Sequence, residues 1–399
     1  MRTGLDRLAT HPTLGAELRS SRVGLLAHPA SVDRRLVHAR RVLDALGVKV
    51  SMIFGPEHGY GGEAQDMIGV ADARDPDGAP IRSLYGERFE DLSPTPEDLA
   101  RIDVLVVDLQ DVGARYYTFV WTAVLAMRAC ARAGVRMLVL DRPNPIGGDL
   151  ARIEGRRQAR LYCSFVGLEP LPVRHSLSLG EIVAWRADAE GVARDQVRVL
   201  GVAGLARDAH ATAWDRPLVM PSPNMPGYET ALVYPGGCLL EGTNLSEGRG
   251  TTRPFELVGA PWLDGARLAD DLHALAFPGV RARPVTFMPT FHKHARSQCG
   301  GVQIHVTDPP AFRPYATYLA LVALARAQQP ARFAFRTERY EFRDDVPAFD
   351  LLTGGSEARE RILRGDPPRD VAGSLAAVDD ADRAIVAEAA AAVRGRLVE

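Results

Sequence analysis

Glu57 and His58 stand side by side in the string Gly55-Pro56-Glu57-His58-Gly59, directly after the apolar run 48–54. Glycines on both sides let the backbone turn tightly and present a carboxyl group beside an imidazole. A carboxyl group in a partly desolvated cleft can have its pKa raised until it serves as a general acid near neutral pH. In the plainer alternative, Glu57 caps a following helix or pairs with an arginine. A second polar cluster, Asp108-Leu109-Gln110-Asp111-Val112-Gly113-Ala114-Arg115-Tyr116-Tyr117, follows the apolar run that begins at Val104. Asp108 and Asp111 are suited to orienting a hydroxyl, a water or a metal, and Arg115 offers a planar fork to a carboxylate. Tyr116 and Tyr117 supply flat apolar surface with a polar edge, which suits a sugar ring. An Asp111–Arg115 ion pair that only buttresses the loop accounts for those two residues equally well.

Arg142 and Asn144 belong to a third string, Leu140-Asp141-Arg142-Pro143-Asn144-Pro145, whose prolines fix φ and so hold Asn144 in a set direction. A later segment, 240–252, gathers Glu241, Asn244, Glu247 and Arg249 among three glycines. No core needs that mixture, so it reads as an exposed binding loop. It is not a phosphate loop, because G-x-x-x-x-G-K-[ST] is missing. No G-x-G-x-x-G follows the first strand, which argues against a dinucleotide, and no cofactor is expected. H-E-x-x-H and G-x-S-x-G are also missing. His28, His58 and the nearby aspartates could bind a metal if their turns converge, but nothing in their spacing demands one, and a metal-free site is expected.

These residues need a frame that brings them together. Apolar runs at 22–28, 48–54, 104–108 and 137–141 each read as a strand ending in one of these turns, or, for the first, in His28-Pro29. Helical stretches at 33–46, 96–101, 118–133 and 179–189 separate or follow them, with Ser178 and Glu181 as a capping box, and another strand is expected at 197–202. Alternation of this kind predicts an α/β fold with a doubly wound, mainly parallel sheet, whose strands all end at one edge. From Trp214 the chain turns rich in Pro and Gly, including 221–227 and 234–237, and the domain boundary is placed there: 1–226 as the catalytic domain and 227–399 as a smaller α+β domain. The latter is expected to hold helices at 266–275, 315–327 and 381–397 and a strand at 301–306.

The chain has 399 residues, 48 basic and 50 acidic, for a net charge of −2. Such a balance provides no long-range field for nucleic acid or an anionic membrane, and neither partner is expected. Cys130, Cys163, Cys238 and Cys299 form no C-x-x-C and read as free thiols. The N-terminus lacks the apolar stretch of a signal peptide, so a cytoplasmic location is expected.

Taken in order, seven strings make the chain similar to the NamZ-type bacterial exo-β-N-acetylmuramidases: F-G-P-E-H-G (54–59), S-L-Y-G (83–86), D-L-Q-D-V-G-A-R-Y-Y-T (108–118), L-D-R-P-N-P-I-G-G (140–148), P-S-P-N-M-P (221–226), E-G-T-N-L-S-E-G-R-G-T-T-R-P-F-E (241–256) and G-A-P-W (259–262). This resemblance implies a Rossmann-like N-terminal domain without a nucleotide, a C-terminal auxiliary domain and a cleft between them. It further implies release of N-acetylmuramic acid from the non-reducing ends of peptidoglycan fragments, here imported ones. Carried onto this chain it makes Glu57 the leading acid, with His58, Asp111, Arg115, Asn144, Asn224, Glu241, Asn244, Glu247 and Arg249 as site residues. Asp111, Glu241 and Glu247 compete for the second carboxylate that glycoside cleavage uses, and an arginine is the natural partner of the sugar's lactyl carboxylate. Two other readings are a binding protein that closes on an acidic sugar, and a metal-dependent hydrolase built on His28, His58 and Asp111.

Overall fold

The computed structural model describes residues 1–65, 67–69 and 71–398. Val23–Ala27 (β1), Val50–Gly55 (β2), Ala73–Arg74 (β3), Pro80–Ser83 (β4), Val104–Asp108 (β5), Arg136–Leu140 (β6) and Val197–Leu200 (β7) form one sheet in the order β3-β4-β2-β1-β5-β6-β7. Every pairing is parallel except that of β3 with β4. Successive side chains of a strand point to opposite faces, so Leu105 and Val107 join one apolar cluster while Val104 and Val106 join another. Helices Phe119–Ala133 and Leu179–Ala189 cover the first face, and the N-terminal helices with Ala39–Ala45 cover the second. The capping box is present: the Ser178 hydroxyl accepts from the Glu181 N–H at 3.2 Å, and Glu181 accepts from the Ser178 N–H at 2.9 Å.

A smaller antiparallel sheet follows, Leu257–Ala260 (β8), Val280–Phe287 (β9) and Cys299–Val306 (β10), in the order β8-β10-β9. Helix Gly265–Ala274 packs on it, and helix Pro314–Gln328 packs on that helix. One apolar cluster runs from the large sheet through Trp121 and Phe165 to Tyr318, Leu319 and Phe349. The two parts therefore share a continuous core that fixes the space between them.

Three expectations are corrected. The helix predicted over 33–46 begins only at Ala39, because Asp33 Oδ1 accepts from the N–H groups of Arg35 and Val37 and closes a turn, with Leu36 at φ +63°. The segment read as loop around Tyr234-Pro235-Gly236-Gly237 is the end of a buried helix, Tyr228–Gly237. Its glycines serve close packing: a Cβ on Gly236 would lie 2.1 Å from the Pro314 carbonyl oxygen. Finally, the last helix, Asp380–Ala392, packs on Leu179–Ala189, and the Val398 N–H donates to Val199 O beside β7. The C-terminus thus lies against the first sheet and not within the second part.

The packing at Gly236 generates a paired prediction. Gly236→Ala should lower stability by about 2–3 kcal/mol through overpacking. Gly373→Ala, in a helix interior with nothing within 4 Å of the added methyl, should raise it by up to about 1 kcal/mol. Denaturant unfolding of both variants checks this, and equal midpoints would contradict the close approach of the two helices.

Candidate active site

The carboxyl edge of the large sheet separates its polar residues into those that lock the frame and those that face a cavity. The strand order reverses beside β1, where an open sheet of this kind leaves a crevice. Here that crevice is filled. His28 Nδ1 donates to Pro221 O at 3.1 Å and Nε2 accepts from the Gln110 N–H at 3.0 Å, so both ring nitrogens are used by backbone. Burial, reinforced by the Arg142 charge, pushes its pKa down to about 3. Asp108, fully buried, holds Arg142 through Nε at 2.5 Å and Nη2 at 2.9 Å, and Arg142 also donates to Val32 O. Arg142 is therefore held internally by Asp108 and Val32.

Arg115 is also internal. Its guanidinium donates to the carbonyls of Arg156, Leu171 and Leu352 at 2.6 to 3.0 Å, and it tethers three loops instead of binding a carboxylate. Asn144 donates to Leu177 O and accepts from the Ile146 N–H, closing its own turn beside a different cavity. Asn244 likewise joins Arg332 O to the Ala334 N–H. Asp111 lies behind the cavity wall, with Oδ2 accepting from the Gly113 N–H at 2.7 Å and lying 3.6 Å from His175 Nε2, while Oδ1 has no partner among the described residues. Burial raises its pKa to about 7.

The remaining residues converge. A small cavity of about 40 Å³ is lined by Glu57, His58, Tyr116, Tyr117, Thr118, Asn224, Glu241, Arg249 and Glu341, among others. Glu57 and His58 occupy a turn closed by the Gly59 N–H on Pro56 O, with His58 at φ +70°, where glycine is the usual choice. His58 Nδ1 lies 2.8 Å from Ala64 O, and the Thr118 hydroxyl donates to Glu57 Oε2 at 2.6 Å. Thr118 is the N-cap of helix Phe119–Ala133, so the helix start aims the carboxyl group. The Tyr116 hydroxyl donates to Pro235 O at 2.8 Å, leaving its ring toward the cavity. Burial keeps Tyr117 protonated beside Ser222, Asp111 and Glu57. Asn224 donates to Gln65 Oε1 at 2.7 Å.

The opposite wall comes from the second part. Glu241 accepts from Arg249 Nη2 at 2.6 Å and from the Tyr340 hydroxyl at 2.7 Å. Glu247, fully buried beneath, lies 2.9 Å from Lys293, 3.0 Å from His292 and 3.2 Å from Arg249. Burial pushes its carboxyl up, but the Lys293 charge, a hydrogen bond from His292 and the Arg249 charge outweigh that and hold it well below the usual range. Glu247 is thus a fixed anion that seats Arg249, and it does not line the cavity. The site candidates named from the sequence did not include Tyr234, Tyr340 or Glu341. The last two sit in Arg339-Tyr340-Glu341-Phe342, which has neither glycine punctuation nor a preceding strand to mark it. His28, His58 and Asp111 are not gathered as ligands, and among the described residues no three His, Cys, Asp or Glu side chains could hold a metal ion.

Asp111 provides a test of this electrostatic picture. Its folded pKa lies above its unfolded value, so its contribution to stability is full below the ordinary carboxylate range and is lost as pH rises through about 7. Asp111→Asn stays neutral throughout, so its melting temperature relative to the parent should rise between about pH 5 and pH 8. Parallel melting curves across that range would refute the shift.

Two family models match the chain, one described as exo-β-N-acetylmuramidase NamZ, N-terminal, over residues 23–229, and its C-terminal counterpart over residues 232–381. The chain is 39% identical over 368 residues to the peptidoglycan β-N-acetylmuramidase NamZ of Bacillus subtilis (strain 168), spanning 92% of this chain and 85% of that protein. The crystal structure of a DUF1343 family protein from Bacteroides fragilis NCTC 9343 matches with a TM-score of 0.79 at 30% identity, over 95% of this chain and 99% of that one. A second such protein from the same organism, 24% identical with a TM-score of 0.73 over 98% of both chains, shares the fold. The chain belongs to the NamZ family of exo-β-N-acetylmuramidases.

Proposed function

We propose that this chain is a glycoside hydrolase that releases N-acetylmuramic acid from the non-reducing ends of peptidoglycan fragments. The similarity to the Bacillus subtilis enzyme over 92% of the chain carries this reading. The cavity supports it. Its walls combine carboxyl groups, tyrosine rings and an amide, the equipment for a hydroxylated ring whose bond is cut between acidic groups.

In this reading Glu57 is the general acid. It protonates the glycosidic oxygen as the bond to the anomeric carbon breaks, with the Thr118 hydroxyl fixing its orientation. Tyr116 and Tyr117 flank the ring, and Asn224 reaches its polar substituents. Arg249 takes the lactyl carboxylate. Glu241 and Glu247 hold its guanidinium at the cavity wall. The close succession of the two family matches, at 229 and 232, supports a lobe boundary beside 226/227. Four cysteines without disulfides suit a reducing compartment and support cytoplasmic work on imported fragments. No helix among the described residues is long and apolar enough to cross a membrane.

Glu57→Gln keeps the shape and loses the proton. Turnover of 4-nitrophenyl β-N-acetylmuramide should fall by about 100-fold or more, with the melting temperature unchanged. A variant with near-parental kcat would remove Glu57 from this role, and tight binding of N-acetylmuramic acid by a parent that never turns over would favour the binding-protein reading.

A further inference from the structure

The cavity that holds Glu57 and Glu241 has a volume of about 40 Å³. One water takes about 10–15 Å³ of such space, so there is room for about three. A pyranose ring with its substituents does not fit, and part of the wall must move before a sugar reaches Glu57. Much of that wall is carried by elements with their own backbone hydrogen bonds. Glu57 follows β2, Phe119 opens the helix Phe119–Ala133, Tyr234 lies inside Tyr228–Gly237, and Glu241 belongs to the short turn of helix Cys238–Gly242.

The segment 329–347, which brings Tyr340 and Glu341 to the cavity, is built differently. It contains neither helix nor strand between helices Pro314–Gln328 and Ala348–Thr353. A connection longer than about 12–15 residues without structure of its own is uncommon in a compact domain, and active-site lids are among the uses of such loops. Its root is pinned to the second part: the Ala334 N–H donates to Asn244 Oδ1 at 3.0 Å, the Arg336 N–H to Gly242 O at 2.9 Å, and Phe335 packs on Phe349. Beyond the root the chain crosses to the first part. Arg339 donates to Glu87 O at 3.1 Å, Arg343 donates to Cys163 O at 3.0 Å, and the Phe342 ring packs edge-on against Tyr85, Phe89 and Phe165 at 5.7 to 6.3 Å. Residues 337–339 and 344–345 are exposed, so nothing lies behind the strap to stop it swinging outward. At its tip, Tyr340 and Arg343 exchange two backbone hydrogen bonds, and the central Glu341 and Phe342 have φ of +44° and +67°. Such a turn normally takes Asn-Gly or Asp-Gly, so this closed conformation is strained and is held by the contacts around it.

We propose that residues 337–345 are a lid, which swings out to admit the terminal sugar and folds back over it. As to which sugar enters, the proposal rests on the glycosidase reading above. Phe342, Arg339 and Arg343 form the latch on the first part. Tyr340 ties closure to the opposite wall, because its hydroxyl donates to Glu241 Oε2 at 2.7 Å and this bond forms only when the strap is down. Closing the cavity and setting Glu241 are then one event, as in other enzymes whose lids complete the site they cover.

Arg343→Cys puts a thiol opposite Cys163, which is partly exposed while the other three cysteines are buried. A short bis-methanethiosulfonate joins the two thiols through reducible bonds and ties the strap down, and peptide mass spectrometry verifies the link. The joined form should turn over 4-nitrophenyl β-N-acetylmuramide about 100-fold more slowly or worse than the same variant capped with methyl methanethiosulfonate, and dithiothreitol should restore the rate. In the unmodified protein, amide hydrogens at 337–345 should exchange much faster than those of Pro314–Gln328, because a lid opens without global unfolding. A joined form no slower than the capped one would overturn the lid and leave the glycosidase reading intact, and strap amides that exchange as slowly as the helix would do the same. A parent protein inactive before any modification would overturn the glycosidase reading, while the exchange comparison still decides the lid.

Discussion

Charge buried at the carboxyl edge of a parallel sheet has to be paired, and this constraint decides which polar residues build the frame and which remain for chemistry. Asp108 at zero exposure requires Arg142, and together with His28 and Gln110 the pair closes the crevice where the strand order reverses. Glu247 requires Lys293, His292 and Arg249. Arg115, with no carboxylate beside it, is satisfied by three carbonyls. Once these groups are paired, the cavity has moved one strand over, to the ends of β2 and the Phe119–Ala133 helix.

The same constraint explains why two walls from distant parts of the chain face each other at a fixed spacing. A single apolar cluster joins the large sheet to the second part, and packed interiors deform little. Glu57 is aimed by a helix N-cap on one side, while Glu241 is held by a cation and a phenol on the other. Side chains held this way need little reorganisation to meet a ligand. Positive φ occurs at four cavity-facing or anchoring non-glycine positions, His58, Phe255, Glu341 and Phe342.

Much of this was legible in residue order. Apolar runs covered on both faces marked β1, β2, β5 and β6, and Ser178 with Glu181 marked the start of a helix to the residue. The strings around Glu57, Asn224, Glu241 and Arg249 pointed to the cavity. Arg115, Arg142, Asn144 and Asn244 sat in equally polar strings and are hydrogen-bonded within the frame, outside that cavity. A one-dimensional pattern reports that a polar residue follows a strand, but not whether its partner is a ligand, a carbonyl or a buried carboxylate.

By itself, then, the sequence determined the parallel sheet and the turns at its edge, because those depend on local periodicity and on glycine and proline geometry. Tertiary structure alone decided that Tyr228–Gly237 is a helix, that the C-terminus returns to the first sheet, and that Glu341 stands in the same cavity as Glu57, 284 positions earlier in the chain. Those outcomes depend on long-range packing and on charge balance, which bring together residues that no local pattern connects.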